Sequence, residues 1–251
     1  MNLTEKNFWD EYWSKVKLPN LPDKSHSFER CLSVELERIV SDTKGEILEI
    51  GCAPGKWLAH LSKSTGLIPS GIEYSRIGTE LTHKNFELLG IEPGTIFEGD
   101  FFALEPIRKF DIVMSLGLIE HFVDVDTVIS KHIEWLKDGG ILILGVPNFR
   151  GLTRFIQHFL DKSLLDKHNL SIMNINYFRS IGKKFSLKEV EVKYIGSFEP
   201  DLPIPITRFG NPIQIIIKVF LMFMRKVRRF TVTDNFNHHS YSSYILAVFQ
   251  K

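Results

Sequence analysis

From residue 46 to 147, short apolar runs alternate with stretches whose apolar residues recur at helical spacing, and this alternation restricts the fold more than any other feature. Strand-helix-strand units bury both faces of a sheet, so the pattern predicts a parallel sheet with helices on both sides. The predicted strands are 46–50 (EILEI), 68–73 (IPSGIE), 94–98 (GTIFE), 110–115 (FDIVMS) and 141–146 (ILILGV), and the predicted helices are 55–65, 75–89 and 125–137. Leu136-Lys137-Asp138-Gly139-Gly140 reads as a helix end, with glycine free to take the left-handed conformation. After Asn148 the regularity is lost: 152–162 and 171–184 read as helices, 189–196 and 244–250 as strands. A proline-rich stretch, PDLPIPITRFGNP, and an apolar segment ending in basic residues separate those last two strands. The expected division is an N-terminal helical cap (1–40), a core (41–150) and a C-terminal part of the same domain (151–251) that covers a substrate.

Residues 47–57, ILEIGCAPGKW, place a glycine loop between the first strand and the first core helix. Such a loop turns backbone N–H groups and the positive helix end toward a ligand. A triphosphate loop needs four residues between its glycines and then Lys-Ser/Thr; Gly51 and Gly55 enclose three, and Lys56 precedes Trp57. The dinucleotide fingerprint needs a small residue where Lys56 stands, for close helix-to-strand packing. Both nucleotide phosphates are therefore poor fits.

The remaining feature is Glu49 two residues before Gly51, with Gly51, Ala53 and Gly55 at alternate positions. Here the chain resembles the class I S-adenosylmethionine-dependent methyltransferases, whose first motif runs acid, any, Gly, any, Gly, any, Gly. Ala53 departs from it, a tolerated change where that residue keeps negative φ. The later motifs follow in order. Gly71-Ile72-Glu73 ends the second strand, and the resemblance implies that Glu73 accepts both ribose hydroxyls. Asp100 and Phe101 match the acid for the adenine amino group and the residue packing on its ring. Ser115-Leu116 and the following Gly117-Leu118-Ile119-Glu120-His121-Phe122 look like the motif beside the sulfonium, and LKDGGILIL matches the passage into the fifth strand. The resemblance thus implies a Rossmann-like α/β fold, with a seven-stranded, mostly parallel sheet whose last strand is antiparallel. It implies S-adenosylmethionine as cofactor, leaving as S-adenosylhomocysteine, held by Glu49, Gly51, Cys52, Ala53, Gly55, Glu73, Tyr74, Asp100, Phe101, Ser115 and Leu116.

Methyl transfer from a sulfonium needs alignment, and a hydroxyl acceptor also needs a base. His121 is the first candidate, because imidazole titrates near neutrality. Quinone-pathway and small-molecule O-methyltransferases, which the chain resembles here, also show a Glu-His pair, which implies help from Glu120 through a hydrogen bond or a metal. Adjacent helical residues face different ways, so a two-residue chelate requires this stretch to be a loop. The second base candidate is His168. His168 lies in the segment that covers the substrate in this family. The aromatic opening Phe8-Trp9-Asp10-Glu11-Tyr12-Trp13 resembles a lid helix of small-molecule methyltransferases, with Tyr12 or Trp13 facing the cofactor and Trp9 packing on the body.

Thirty-one Lys plus Arg against 30 Asp plus Glu leave a net charge of +1, which gives no electrostatic drive toward DNA or RNA. The loop Gly-Cys-Ala-Pro-Gly-Lys-Trp is similar to that of ribose 2′-O-methyltransferases, but their aspartate after strand four is absent from Ser115-Leu116-Gly117. The two cysteines, Cys31 and Cys52, form no disulfide framework, and Cys52 reads as a small buried filler. His238-His239 has no third ligand nearby in sequence, and no resident metal is expected. Reduced cysteines and the absence of a secretory signal predict a cytoplasmic protein. Ile213 to Met224, apolar at ten of twelve positions, is too short to span a bilayer. With Arg225, Lys226, Arg228 and Arg229 it is compatible with the inner membrane surface, a lipid-linked substrate, a buried helix or a homodimer contact. The expected acceptor is a small molecule, a sugar or a lipid-linked intermediate.

Overall fold

The computed structural model describes residues 3–198, 212–228 and 236–251, and within the second segment it leaves the side chains of 213 and 225–228 undescribed. The proline-rich stretch at 200–211 and the side chains of Arg225, Lys226, Arg228 and Arg229 therefore lie outside the described residues.

Two helices open the chain, α1 (Lys6–Trp13) and α2 (Ser27–Val40). The regular half then runs β1 (Glu46–Ile50), α3 (Lys56–Thr65), β2 (Ile68–Glu73), α4 (Arg76–Leu89), β3 (Ile96–Glu98), β4 (Phe110–Leu116), α5 (Val125–Glu134) and β5 (Leu136–Pro147). Next come α6 (Gly151–Leu160), α7 (Lys162–Asp166), α8 (Ile175–Lys184), β6 (Lys188–Ile195), α9 (Pro212–Arg228) and β7 (Tyr244–Gln250). The seven strands form one sheet in the order β3-β2-β1-β4-β5-β7-β6. β1 pairs in parallel with β2 and β4, and β7 runs antiparallel to both β5 and β6. Strands from both sides of residue 150 thus share one sheet.

Side-chain alternation along each strand feeds two cores. On one face Leu48, Val113, Leu142 and Leu144 pack with α5 and α8 through Val128, Ile129, Phe178 and Ile181. On the other, Ile47, Ile112, Met114 and Ile143 pack with α2, α3 and α4 through Leu36, Leu58, Leu61 and Phe86. The sheet order reverses between β1 and β4, and a crevice at the carboxyl ends of such strands is where this architecture binds ligands.

Three helix ends differ from expectation by two residues or more. α5 stops at Glu134, and Leu136–Pro147 is strand throughout, so Lys137 to Gly140 enters β5 instead of ending a helix; Gly139 does take positive φ (+79°). The helix predicted over 152–162 is divided at Asp161, whose carboxylate accepts the N–H of Ser163 at 3.0 Å. The one predicted over 171–184 begins only at Ile175, because Asn174 caps it through the N–H of Tyr177 at 2.9 Å. In each division a short polar side chain satisfies N–H groups that a continuous helix would have paired internally.

Candidate active site

A cavity of about 540 Å³ opens at the carboxyl ends of β1, β2 and β4, within the range of small-molecule sites. Its floor is the glycine loop. Gly51 takes φ +76°, and its N–H donates to the Ile72 carbonyl at 2.8 Å, which holds the loop against β2. Gly55 takes φ +79° as N-cap of α3, and a Cβ there would lie 2.9 Å from the Phe86 ring, so only glycine fits without displacing that ring. Ala53 avoids positive φ, as the resemblance requires, since Ser186 is the one non-glycine among the described residues that adopts it.

Glu73 fixes the loop to α4. Its carboxylate accepts the N–H of Ala53 at 3.1 Å and of Ser75 at 2.8 Å. Ser75 caps α4 through the N–H of Gly78 at 3.0 Å, and its hydroxyl donates to Asp10 of α1. One chain of hydrogen bonds therefore joins the floor, the second strand and the N-terminal helix. Burial raises the pKa of Glu73 against the pull of those N–H groups. Glu49 is raised further, by burial first and by Glu73 second, and its Oε2 has no protein partner. Asp100 receives the N–H of Phe102 at 3.0 Å, while Phe101 lies against Phe102 with ring centres 4.2 Å apart. Lys56, the cation nearest the loop in sequence, is bound to Glu29 at 2.7 Å.

Opposite this acidic floor the chain passes through a 3-10 turn at Ile119–His121. The turn is only three residues long and sits at the mouth of the cavity, and both Glu120 and His121 line it. His121 Nδ1 lies 3.0 Å from the Lys167 carbonyl and His168 Nδ1 2.6 Å from the Leu164 carbonyl, so each ring carries its hydrogen there and leaves Nε2 as an acceptor. The two rings lie 4.6 Å apart. Burial, then the neighbouring His168, lowers His121 to about 4; burial also lowers His168. Glu120 is raised to about 8 by burial, and its Oε2 has no protein partner. Donor atoms of Glu120, His121 and His168 fall within 4.8 Å of one another, an arrangement able to hold a metal ion, which the sequence did not lead us to expect.

α1 closes the cavity. Trp9, Tyr12 and Trp13 all line it, and Trp9, expected to pack only on the body, meets the His121 ring edge-on at 5.1 Å. Tyr74, half exposed, lines the wall with the Lys6 ammonium 5.3 Å above its ring.

Two expected cofactor residues do not reach the cavity. Ser115 follows Met114 on β4, so alternation turns it toward α5, where its hydroxyl bonds His132 Nε2 at 2.9 Å; Leu116 lines the wall instead. Gly55 acts beneath the wall, as the helix cap. Cys52 lines the cavity as a buried thiol, its pKa raised by burial. Tyr244, at the start of β7, escaped the sequence reading: it is buried at the cavity edge, and burial followed by Glu120 and Glu49 raises its phenol. An apolar strand at the far end of the chain carries no signal of where its first side chain points.

Residues 25–191 match the model of a methyltransferase domain family, well over half of the chain. The chain belongs to the class I S-adenosylmethionine-dependent methyltransferase family. A ubiquinone biosynthesis O-methyltransferase from a Chelativorans species is 28% identical over 109 residues, covering 41% of this chain and 40% of that protein. A ribosomal RNA large subunit methyltransferase E from Desulforapulum autotrophicum is 32% identical over 103 residues, covering 40% and 46%. The chain thus spans less than half the length of these curated relatives. A Thiobacillus denitrificans S-adenosylmethionine-dependent methyltransferase, solved with S-adenosyl-L-homocysteine, superposes with a TM-score of 0.57 at 16% identity over 99% of both chains. Like the Galdieria sulphuraria structure titled a putative sarcosine dimethylglycine methyltransferase (TM-score 0.58, 16% identity, 98% and 97% covered), it supports the fold.

The cavity fits the family's cofactor on its own chemistry. Glu49, Glu73 and Asp100 line its floor, while Lys56 is engaged by Glu29. A lining of acids repels phosphates and attracts a ligand bearing an ammonium and a sulfonium. The unpartnered Glu49 Oε2 is an acceptor without a donor, the kind of buried group that a ligand completes.

Proposed function

We propose that this protein transfers the methyl group of S-adenosylmethionine to an oxygen of a small-molecule, sugar or lipid-linked acceptor. The observation that carries the reading is one cavity with an acidic floor and a histidine pair on the opposite wall. Bound there, the sulfonium would supply an electrophilic methyl group, which passes in line to the acceptor oxygen as its bond to sulfur breaks and S-adenosylhomocysteine leaves. Everything else falls to the chain's own residues. Glu73 and Asp100 present acceptors to the ribose and adenine, and Glu49 presents one to the ammonium of the amino-acid tail. Trp9, Tyr12 and Trp13 exclude water from above. His168, less buried than His121, is the better proton acceptor of the pair and takes the acceptor's hydroxyl proton on Nε2. Glu120, neutral at pH 7, donates a hydrogen bond to the acceptor. The similarity to two ubiquinone O-methyltransferases supports oxygen as the target.

The similarity to a ribosomal RNA enzyme carries RNA methylation as the second reading. Leu116 lining the wall at the end of β4, at the position where those enzymes need an aspartate, and the balanced charge weigh against it.

The test is radiolabel transfer from S-adenosyl-[methyl-³H]methionine to a panel of catechols, sugars, isoprenoid phenols and ribosomal RNA. Label on a hydroxyl of one of the first three classes is expected. Label confined to RNA or to nitrogen, or cofactor binding with no transfer to any hydroxyl, would overturn the reading.

A further inference from the structure

Helix α9 is apolar on both sides. One side, Ile217, Leu221 and Met224, packs on Ile156 and Leu160 of α6. The other, Ile215, Ile216, Val219, Phe220, Met222 and Phe223, is between 44% and 68% exposed. Those positions fall at i, i+1, i+4, i+5, i+7 and i+8, one continuous stripe along the helix. Phe155 of α6 is 62% exposed as well. A contiguous apolar surface of this kind marks an interaction site.

The charge around it selects the occupant. Between Leu202 and Thr233 the sequence holds no Asp or Glu, and its cations are Arg208, Lys218, Arg225, Lys226, Arg228 and Arg229. α6 likewise contains Arg154 and no acid. In a chain whose charges as a whole nearly cancel, this one-signed segment beside exposed aromatic and aliphatic residues matches an anionic, apolar partner. A second copy of the chain would present the same cations and repel. None of the helices among the described residues is long and apolar enough to cross a membrane.

We infer that α9 and the adjoining edge of α6 form a docking face for an anionic lipid bilayer, with α9 lying in the plane of the interface. The apolar stripe enters the headgroup and acyl boundary, and the cations that follow meet lipid phosphates. α6 connects this face to the active site. Its Arg154 and His158, with Lys162 of α7, line a second cavity of about 550 Å³, and that cavity shares His168 with the first. Docking places His168, the histidine both cavities share, beside the lipid phase, where an amphiphilic acceptor resides. The inference extends the proposed function but does not depend on it, because docking is read without turnover.

The test is co-sedimentation of the full chain with phosphatidylcholine vesicles and with the same vesicles containing phosphatidylglycerol. Calorimetry with S-adenosylhomocysteine runs beside it as the check on the cofactor site. The wild-type protein should pellet with the anionic vesicles, and increasing salt should reduce this. Ile216→Glu/Phe220→Glu/Phe223→Glu, all exposed positions, should lower the bound fraction about tenfold with cofactor affinity unchanged. Changing Arg225, Lys226, Arg228 and Arg229 to Gln should remove the preference for phosphatidylglycerol. Failure to pellet with anionic vesicles, or equal pelleting of the triple variant, would overturn the inference. So would a dimer in light scattering that the triple variant dissolves without any vesicle binding; that result would assign the face to a second copy.

Discussion

Replacing Glu73 by alanine probes the cofactor site where the structure is most explicit. The carboxylate offers about four acceptor positions, and the N–H groups of Ala53 and Ser75 occupy two. About two remain, one for each ribose hydroxyl. A hydrogen bond to a charged acceptor contributes about 1.5–3 kcal/mol, and water entering the truncated site recovers part of it. A net loss of about 2–4 kcal/mol corresponds to an affinity reduced about 30-fold to several hundredfold. Isothermal calorimetry with S-adenosylhomocysteine reads this directly, and a thermal melt shows whether the variant is folded. The substitution also strands two N–H groups, so some loss of melting temperature is expected; Glu73→Gln, which keeps one acceptor oxygen, is the fallback if the alanine variant fails to fold. A folded variant that binds within threefold of wild type would refute the assignment of Glu73 to the ribose.

Four further outcomes follow from the same geometry. Glu120, raised from 4.5 to about 8, holds a proton in the folded protein that it loses on unfolding; its own contribution to stability is fully present below pH 4.5 and is lost, by up to about 5 kcal/mol, as pH rises to 8, so Glu120→Gln should melt higher than wild type at pH 8 and no higher at pH 4.5. His168→Ala should lower turnover about 100-fold or more while cofactor affinity stays constant, and the wild-type rate should fall on the acid side with an apparent pKa below 6.5, because His168 acts neutral and burial disfavours its charged form. Asp10→Ala removes the acceptor for the Ser75 hydroxyl, and hydrogen exchange in 6–13 should quicken while exchange in β1 and β4 is unchanged. Dialysis against EDTA should leave turnover intact if His168 is the base; activity lost and restored by zinc or manganese would instead make Glu120, His121 and His168 ligands.

The regular half of the molecule was legible because strand and helix periods differ and the two alternate from β1 to β5, broken only between β3 and β4, where no helix intervenes. The order of the acids Glu49, Glu73 and Asp100 after successive strands was legible too, since the carboxyl ends of parallel strands converge on one crevice. What the sequence hid depends on direction more than on position. Ser115 lies one residue from the wall, and alternation alone turns it to α5. Glu120 and His121 both reach the cavity from a single short turn, where no helical face is defined for a sequence period to reveal. Tyr244 and the Asp10 to Ser75 bond join segments far apart in the chain, and no local pattern records a long-range contact.

The proposed methyl transfer rests on S-adenosylmethionine binding in the acidic cavity above β1, β2 and β4. Titrating the purified wild-type protein with S-adenosylmethionine and S-adenosylhomocysteine in a calorimeter tests it without knowledge of the acceptor. One saturable site, displaced between the two ligands and weakened by Glu73→Ala, is the predicted result. Absence of heat and of thermal stabilisation at millimolar concentrations of either ligand would contradict the account.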